Sequence, residues 1–181
     1  MNLHLLRTIN GWAGHNWLLD HVMIFCASWL IYVVFAGAAG CALVLARRRQ
    51  WRPLGLFAAV LVVSFALLQL AAHVYVDKRP FTTQHVHQLV AHGAGASFPS
   101  DHTTAATAVG LGLLLFTPFR KLGVSALLAA VLIGFARVFV GIHWPVDIAG
   151  GLLTGLIGAA LVWGVALLVN SQRPMSFRKA A

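Results

Sequence analysis

The stretch LGLFAAVLVVSFALLQLAAHVYV, from Leu54 to Val76, decides the class of fold. It contains no Asp, Glu, Lys or Arg, and it is long enough to cross a bilayer as a helix, which takes roughly 20 apolar residues. Further apolar runs lie on either side of it, of which the one beginning at Thr103 is marginal in length: Val22 to Ala46, Thr103 to Pro118, Leu122 to Gly141 and Val146 to Val169. We therefore expect an all-α integral membrane protein with a bundle of about five transmembrane helices.

The composition excludes most classes of soluble protein. Hydrophobic residues make up 60% of the chain and charged residues 9%, with a mean hydropathy of +0.83, whereas a soluble domain carries roughly 25% charged residues. The net charge of +9 does not indicate a nucleic-acid partner, because such a protein gathers its basic residues on one hydrated face and here they flank apolar runs. One membrane-embedded domain over residues 1–181 is expected.

Two smaller features complete the expected architecture. Apolar residues recur near helical spacing in the polar first segment, which is typical of a helix lying in the membrane interface: Leu3, Leu5, Leu6, Ile9 and Trp12. Cys26 and Cys41 fall within one apolar run, where thiols behave as small apolar side chains, so we expect neither a disulfide nor a metal site from them.

The basic residues predict the orientation of the bundle. If five spans alternate in direction, most of the basic residues fall on one side: Arg47, Arg48, Arg49, Arg52, Arg120, Lys121, Arg173, Arg178 and Lys179. The positive-inside rule makes that side the cytoplasm. The loops from Asp77 to His102 and from Ile142 to Asp147 are then expected to face the periplasm or exterior, as in a multi-pass protein of a bacterial inner membrane.

Nearly all the acidic residues of the chain stand in these two loops. The chain contains four, Asp20, Asp77, Asp101 and Asp147, and no Glu. Three of the four lie beside arginine or histidine in short stretches: DKRPF at Asp77 to Phe81, SFPSDH at Ser97 to His102, and ARVFVGIHWPVD at Ala136 to Asp147. Such a concentration of charge in an apolar chain indicates a functional site, because charges that serve only solubility would not be gathered in three short stretches.

The second stretch has the properties of a phosphate site at the start of a helix. Ser100 follows Pro99 and precedes an apolar run, which makes Ser100 a candidate N-cap. The free N–H groups of a first turn favour phosphate, and His102 in that turn could give a proton to a leaving oxygen. A polar loop that merely caps a membrane helix explains this stretch equally well.

The third stretch favours catalysis more strongly. Arg137 lies near the outer end of an apolar run, where a charge is costly without an anionic partner. Asp147 follows His143 at a spacing that lets its carboxylate hold one imidazole nitrogen, so that the other nitrogen can act as a nucleophile. In the first stretch, the planar fork of Arg79 suits two phosphate oxygens, whereas Lys78 could simply reach toward lipid headgroups.

Three motifs follow one another between Arg79 and Asp147: R-P, P-S-x-H and R-x5-H-x3-D. Together they resemble the three-part signature of the type 2 phosphatidic acid phosphatase superfamily. The resemblance implies that His143 takes the phosphoryl group as a phosphohistidine and that Asp147 holds His143. It implies that His102 is the general acid and that no metal or other cofactor takes part. The residues that it assigns to the phosphate oxygens are Arg79, Ser100 and Arg137.

The departures from the family pattern narrow the prediction. Ala72 stands where the family usually has a lysine, seven residues before Arg79, and Lys78 is the candidate replacement. Asp101 replaces the usual glycine of P-S-G-H and could tune the proton affinity of His102. The Asp form resembles the bacitracin-resistance branch of undecaprenyl-diphosphatases, which implies a polyprenyl diphosphate of cell-wall synthesis as substrate.

Other functions fit parts of the same pattern. Phosphatidylglycerophosphate or phosphatidic acid could be hydrolysed by the same chemistry. A vanadium haloperoxidase uses a similar site, but those enzymes resemble soluble proteins. A non-catalytic lipid-binding or transport protein would use Arg137 as a headgroup ligand and leave the spacing of His143 and Asp147 unexplained. The partners expected in each lipid-directed case are a lipid phosphate and the surrounding membrane lipids.

Overall fold

A computed structural model describes residues 2–75 and 77–171 of the chain. In these two ranges it contains helices and no strand, which confirms the predicted all-α class. The helices are α1 (Asn2–Asn10), α2 (Trp17–Ser28), α3 (Leu30–Arg47), α4 (Trp51–Val74), α5 (Pro80–Thr83), α6 (Asp101–Phe116), α7 (Arg120–Phe139) and α8 (Pro145–Ser171).

Helices α3, α4, α7 and α8 are long and apolar enough to cross a membrane. Helix α6 corresponds to the run predicted to be marginal; its 16 residues extend about 24 Å, less than the roughly 30 Å of a hydrocarbon core. It packs against α3, α4, α7 and α8, and small residues such as Ala106 and Ala108 are buried along it. The shortest of the expected spans is therefore the central helix of the bundle.

The prediction of one span from Val22 to Ala46 is wrong, because the chain breaks at Trp29 into α2 and α3. Neither proline nor glycine stands at the break. Instead, Nη1 of Arg137 donates a hydrogen bond of 3.0 Å to the carbonyl oxygen of Ala27. In a continuous helix that oxygen would accept from the N–H group of Ile31, so an inserted side chain has replaced one step of the backbone ladder.

The helix ends divide the bundle into two faces. One face, the basic end, carries the C-terminus of α3 and the N-termini of α4 and α7, with Arg47, Arg48, Arg52, Arg120 and Lys121. The C-terminus of α8 reaches the same end, where Arg52 donates to the side-chain oxygen of Asn170. The opposite face, the site end, carries the N-termini of α6 and α8 and the C-terminus of α7. The basic residues Arg173, Arg178 and Lys179 lie outside the described residues.

The first segment forms α1, as its periodicity predicts. Helix α1 packs against α7 and α8, with Leu6 fully buried and Trp12, just beyond its end, largely exposed. Its position in a membrane interface stays a prediction. Cys26 and Cys41 are free and buried, in separate clusters of the core.

Candidate active site

The three motif stretches converge at the site end because their helices begin or end there. Ser100 is the N-cap of α6, as predicted, and its Oγ accepts from the N–H group of Thr103. The backbone N–H of Ser100 also donates to the carbonyl oxygen of Asp147 over 3.0 Å, which ties α6 to the start of α8. This approach requires Gly151, since a Cβ atom there would lie 2.8 Å from the carbonyl oxygen of Ser100.

His143 and Asp147 form a fully buried pair. The Nδ1 atom of His143 lies 3.0 Å from Oδ2 of Asp147, and the same oxygen accepts from the backbone N–H of Trp144 at 2.8 Å and from the hydroxyl of Ser97. Because a carboxylate can only accept, Nδ1 carries the proton and Nε2 presents its lone pair. Gly141, at φ +80, forms the left-handed turn that leads the chain from α7 into this position.

Two buried guanidinium groups face the free nitrogen of His143. Nη1 of Arg79 lies 3.1 Å from Nε2 of His143, and Nη2 of Arg137 lies 3.3 Å from the same atom. Arg79 is fixed by bonds of 3.0 Å to the carbonyl oxygens of Ile142 and Ala96. The Nε atoms of both arginines are buried and have no hydrogen-bond partner among the residues that the structure describes.

The electrostatic environment keeps His143 neutral. Burial lowers the pKa of its imidazole well below the ordinary value; the hydrogen bond to Asp147 opposes this shift, and the nearby cations of Arg137 and Arg79 add to it. A neutral imidazole with its lone pair directed at two cations is the form that can attack phosphorus.

His102 and Asp101 stand at the edge of this cluster. Oδ1 of Asp101 accepts from the backbone N–H of His102 at 2.8 Å and lies 3.0 Å from its Nδ1 atom. The same oxygen lies 3.8 Å from Nη2 of Arg137. Asp101, which stands where the P-S-G-H pattern has glycine, therefore orients the imidazole of His102 and faces Arg137.

Lys78 differs from its neighbour Arg79. Its side chain is exposed and makes no hydrogen bond within residues 2–75 and 77–171, while its backbone carbonyl accepts from the indole N–H of Trp144 over 2.8 Å. The role of Lys78 as a phosphate ligand stays a prediction.

The sequence did not indicate several residues that support the site. Ser97 holds the catalytic carboxylate candidate, Asp147; His92 lies 3.3 Å from Arg137. Asn10 of α1 is buried and spans from the loop at His87 to the end of α7. All three lie in segments without periodicity or at helix ends, so no sequence pattern marked them.

An apolar cavity of about 580 Å³ leads away from the site. It runs between α3, α4 and α6, and Asp101 and His102 stand at its site end. Side chains that line it include Ile31, Ala38, Ala42, Phe57, Leu61 and Ala108. The groove thus joins the polar cluster to the apolar flank of the bundle.

No three His, Cys or Asp side chains are arranged to hold a metal ion in the described part of the chain. Asp101 and Asp147, the two carboxylates of the site, instead face histidine and arginine partners. Metal independence of the reaction stays a prediction.

Comparisons with known proteins identify the family of the chain. Residues 53–171 match the family described as the PAP2 superfamily. The undecaprenyl-diphosphatase BcrC of Bacillus subtilis is 37% identical over 158 residues, which cover 87% of this chain and 80% of that protein. The crystal structure of LpxE from Aquifex aeolicus superposes with a TM-score of 0.73 at 25% identity, covering 90% of this chain and 94% of that one. A PAP2-type phosphatidylglycerolphosphate phosphatase from Bacillus subtilis gives a TM-score of 0.67 at 25% identity, with coverages of 94% and 89%.

Proposed function

The chain belongs to the PAP2 superfamily of multi-pass membrane lipid phosphatases, and from this premise we propose that it hydrolyses undecaprenyl diphosphate to undecaprenyl phosphate and inorganic phosphate. The observation that carries the proposal is the free Nε2 of His143, which faces Arg79 at 3.1 Å and Arg137 at 3.3 Å while Asp147 holds Nδ1. This is the arrangement of a histidine nucleophile beside a clamp for phosphate oxygens.

In the first step, Nε2 of His143 attacks the terminal phosphorus. A bond forms between that nitrogen and phosphorus, and the bond from phosphorus to the bridging oxygen breaks. Its electron pair leaves on the lipid monophosphate, which takes a proton from His102. Arg79 and Arg137 bind the equatorial oxygens of the transition state, and the N–H groups at the start of α6, capped by Ser100, are available to the same phosphate.

In the second step, water attacks the phosphohistidine. His102, now without its proton, accepts one from the water, and the bond between phosphorus and Nε2 of His143 breaks to release inorganic phosphate. Asp147 stabilises the positive charge that the imidazole carries in the intermediate. The proton lost by His102 in the first step is thus regained, and the site returns to its starting state.

The groove beside His102 supports a lipid as the leaving group. Because the general acid protonates the leaving oxygen, the leaving group must lie on the side of His102, and the apolar groove between α3, α4 and α6 begins there. From Ile31 to Ala42 on α3 the wall extends about 16 Å at 1.5 Å per residue. A polyprenyl tail could follow it from the site toward the membrane core.

The sidedness of the site follows from the charged ends of the bundle. Arg47, Arg48, Arg52, Arg120 and Lys121 lie at the basic end, and the candidate catalytic residues lie at the other. With the basic end in the cytoplasm, the site faces the periplasm or exterior of a bacterial inner membrane. The lipid monophosphate would then re-enter cell-wall synthesis from the outer leaflet. Because the reaction consumes the diphosphate, it would protect against bacitracin.

The test is phosphate release by the purified protein from undecaprenyl diphosphate, phosphatidylglycerophosphate and phosphatidic acid, each in the same detergent. We expect the highest kcat/KM with undecaprenyl diphosphate and no release by His143→Ala. A higher kcat/KM with phosphatidylglycerophosphate would replace the proposed substrate by the second candidate, which the likeness to a phosphatidylglycerolphosphate phosphatase favours. Full release by His143→Ala would remove the mechanism.

A pair of matched substitutions tests the groove. Ala42 lines the groove at a distance from His102, and Ala42→Leu should raise KM for undecaprenyl diphosphate by about tenfold because an added side chain blocks the tail. The short-tailed geranyl diphosphate should be hydrolysed as before. The control is Ala59→Leu, because Ala59 lines a separate apolar cavity between α4 and α8. Equal effects of Ala42→Leu on both substrates would argue against this path for the tail.

A further inference from the structure

The segment from Gln84 to Ala96 crosses the site end between α5 and α6, and side chains anchor it at both ends. At its start, the amide of Asn10 accepts from the N–H of His87 at 2.8 Å and donates to the carbonyl oxygen of His87 at 2.9 Å. The N–H of Leu89 donates to the carbonyl oxygen of Val140. At its end, Arg79 donates to the carbonyl oxygen of Ala96.

Between these anchors, His92 reaches the phosphate clamp. Its Nε2 atom lies 3.3 Å from Nη2 of Arg137, and its ring centroid lies 6.4 Å from that of His143, with the rings edge to face. Its Nδ1 atom lies 3.1 Å from the carbonyl oxygen of Gly93. Because that oxygen can only accept, Nδ1 holds the proton and Nε2 accepts from the arginine.

Nη2 of Arg137 therefore lies 3.3 Å from both Nε2 of His92 and Nε2 of His143. A phosphate oxygen that receives the hydrogen bond of this guanidinium would come within reach of both imidazoles. His143 is needed there as the unprotonated nucleophile. His92 has no such role, and a lone pair facing an anionic oxygen would be repelled.

Resting on the proposed function, we propose that His92 is an additional phosphate ligand, which takes up a proton when the terminal phosphate of the substrate binds and then donates from Nε2 to a phosphate oxygen. In the empty site it accepts a hydrogen bond from Arg137. On binding, the guanidinium turns its N–H to the phosphate, and the proton taken from solvent converts the imidazole from an acceptor to a donor.

The charges around His92 support this change of state. It is faced by Arg137 of α7, Arg79 before α5, Asp101 of α6 and His143 of the turn between α7 and α8. His92 is an exposed residue, but partial burial of its imidazole lowers the pKa, and the two arginine cations add to this effect, while the hydrogen bond to Gly93 and the charge of Asp101 oppose it. A bound phosphate supplies negative charge at the imidazole and reverses the balance.

The direction of the pH dependence follows from proton uptake. Where the pH lies between the lowered pKa of His92 in the empty site and the raised pKa in the complex, binding consumes a proton. Affinity for phosphate is then greatest at low pH and falls by up to about tenfold per pH unit as the pH rises through that window. A neutral side chain at the same position would not contribute this slope.

The experiment measures how strongly inorganic phosphate inhibits the hydrolysis of undecaprenyl diphosphate from about pH 5.5 to about pH 8, the range around an ordinary histidine pKa. It compares the wild-type protein with His92→Gln and with His85→Gln, which changes another exposed histidine of the same segment. We expect His92→Gln to weaken inhibition by about 10- to 100-fold at the acidic end, the usual effect of losing a hydrogen bond to a charged group. The difference should shrink toward the alkaline end, and His85→Gln should follow the wild type.

Each other outcome overturns the inference. Equal inhibition of His92→Gln and wild type at every pH would show that His92 does not contact phosphate. A loss that is the same at every pH would show that a neutral His92 only positions Arg137. The ionisations of phosphate and of His143 are common to both proteins, so the ratio of inhibition constants isolates His92. If phosphate fails to inhibit the wild type, the proposed active site fails together with this inference; if it inhibits both proteins equally, only the role of His92 fails.

Discussion

Replacing Asp147 by Asn removes one charge from the candidate site while keeping its shape. Oδ2 of Asp147 accepts from His143, Trp144 and Ser97, and an amide oxygen can accept from the same donors. The change that remains is electrostatic. His143 is neutral before the reaction and carries positive charge once Nε2 bonds to phosphorus, so the carboxylate stabilises the transition state more than the bound substrate.

The distance between the two groups sets the magnitude. Nδ1 of His143 and Oδ2 of Asp147 are 3.0 Å apart, and two unit charges at that distance attract by about 5.5 kcal/mol at an effective dielectric constant of 20. A hydrogen bond to a charged group contributes roughly 1.5–3 kcal/mol. Taking about 3 to 5 kcal/mol as the loss, kcat for Asp147→Asn should fall by about 10²- to 10⁴-fold.

The assay is phosphate release from undecaprenyl diphosphate with kcat and KM measured separately. KM should change little, because phosphate still meets Arg79 and Arg137. Asp20→Asn, the same chemical change in α2 away from the site, is the matched control and should retain wild-type rates. A kcat for Asp147→Asn within about fivefold of wild type, or a loss confined to KM, would refute the role given to the carboxylate.

Four further expectations concern the same site. His102→Ala should lower kcat by about 10²- to 10⁴-fold, typical of a lost general acid, and an undiminished rate would assign that role elsewhere. Chelation with EDTA should leave phosphate release unchanged, since no metal-binding cluster of His, Cys or Asp lies among the described residues; loss that a divalent ion restores would favour metal-assisted attack. The acidic limb of the pH profile should lie below the ordinary histidine pKa, because burial lowers the pKa of His143; the neutral nucleophile is present above the lowered pKa and lost as pH falls through it. In a background without Cys26 and Cys41, cysteine at Gln84 should react with an impermeant reagent from outside the cell and cysteine at Gln50 should not; the reverse pattern would place the site in the cytoplasm.

The parts of the site that could be predicted are those fixed by local geometry. His143 and Asp147 are four residues apart at the start of α8, a spacing that brings them together whatever the rest of the chain does. Ser100 could be identified as an N-cap from its neighbours alone. The meeting of Arg79 with Arg137 required one more step, the alternation of helices that places both stretches at the same end of the bundle.

The contacts that could not be predicted join residues distant in sequence through irregular segments. His92 meets Arg137 across 45 residues, and Asn10 meets Phe139 across 129, so neither contact leaves a period or a spacing in the chain. The break at Trp29 belongs to the same class. Hydropathy from Val22 to Ala46 is continuous, and the break is associated with a guanidinium 110 residues away at the carbonyl of Ala27.

The two buried arginines explain why this apolar fold accepts so much charge at one end. Asp147 is the one fully buried carboxylate in the described part of the site, so the buried groups Arg79, Arg137 and Asp147 together leave one positive charge in excess while His143 is neutral. The exposed carboxylate of Asp101, 3.8 Å from Nη2 of Arg137, offsets part of this excess. Backbone carbonyl oxygens at Ala27, Ala96 and Ile142 hold the guanidinium groups, but they supply partial charge only. A phosphate therefore provides negative charge that the buried groups lack, and the fold binds most strongly the species in which that charge is greatest, the five-coordinate transition state beside His143.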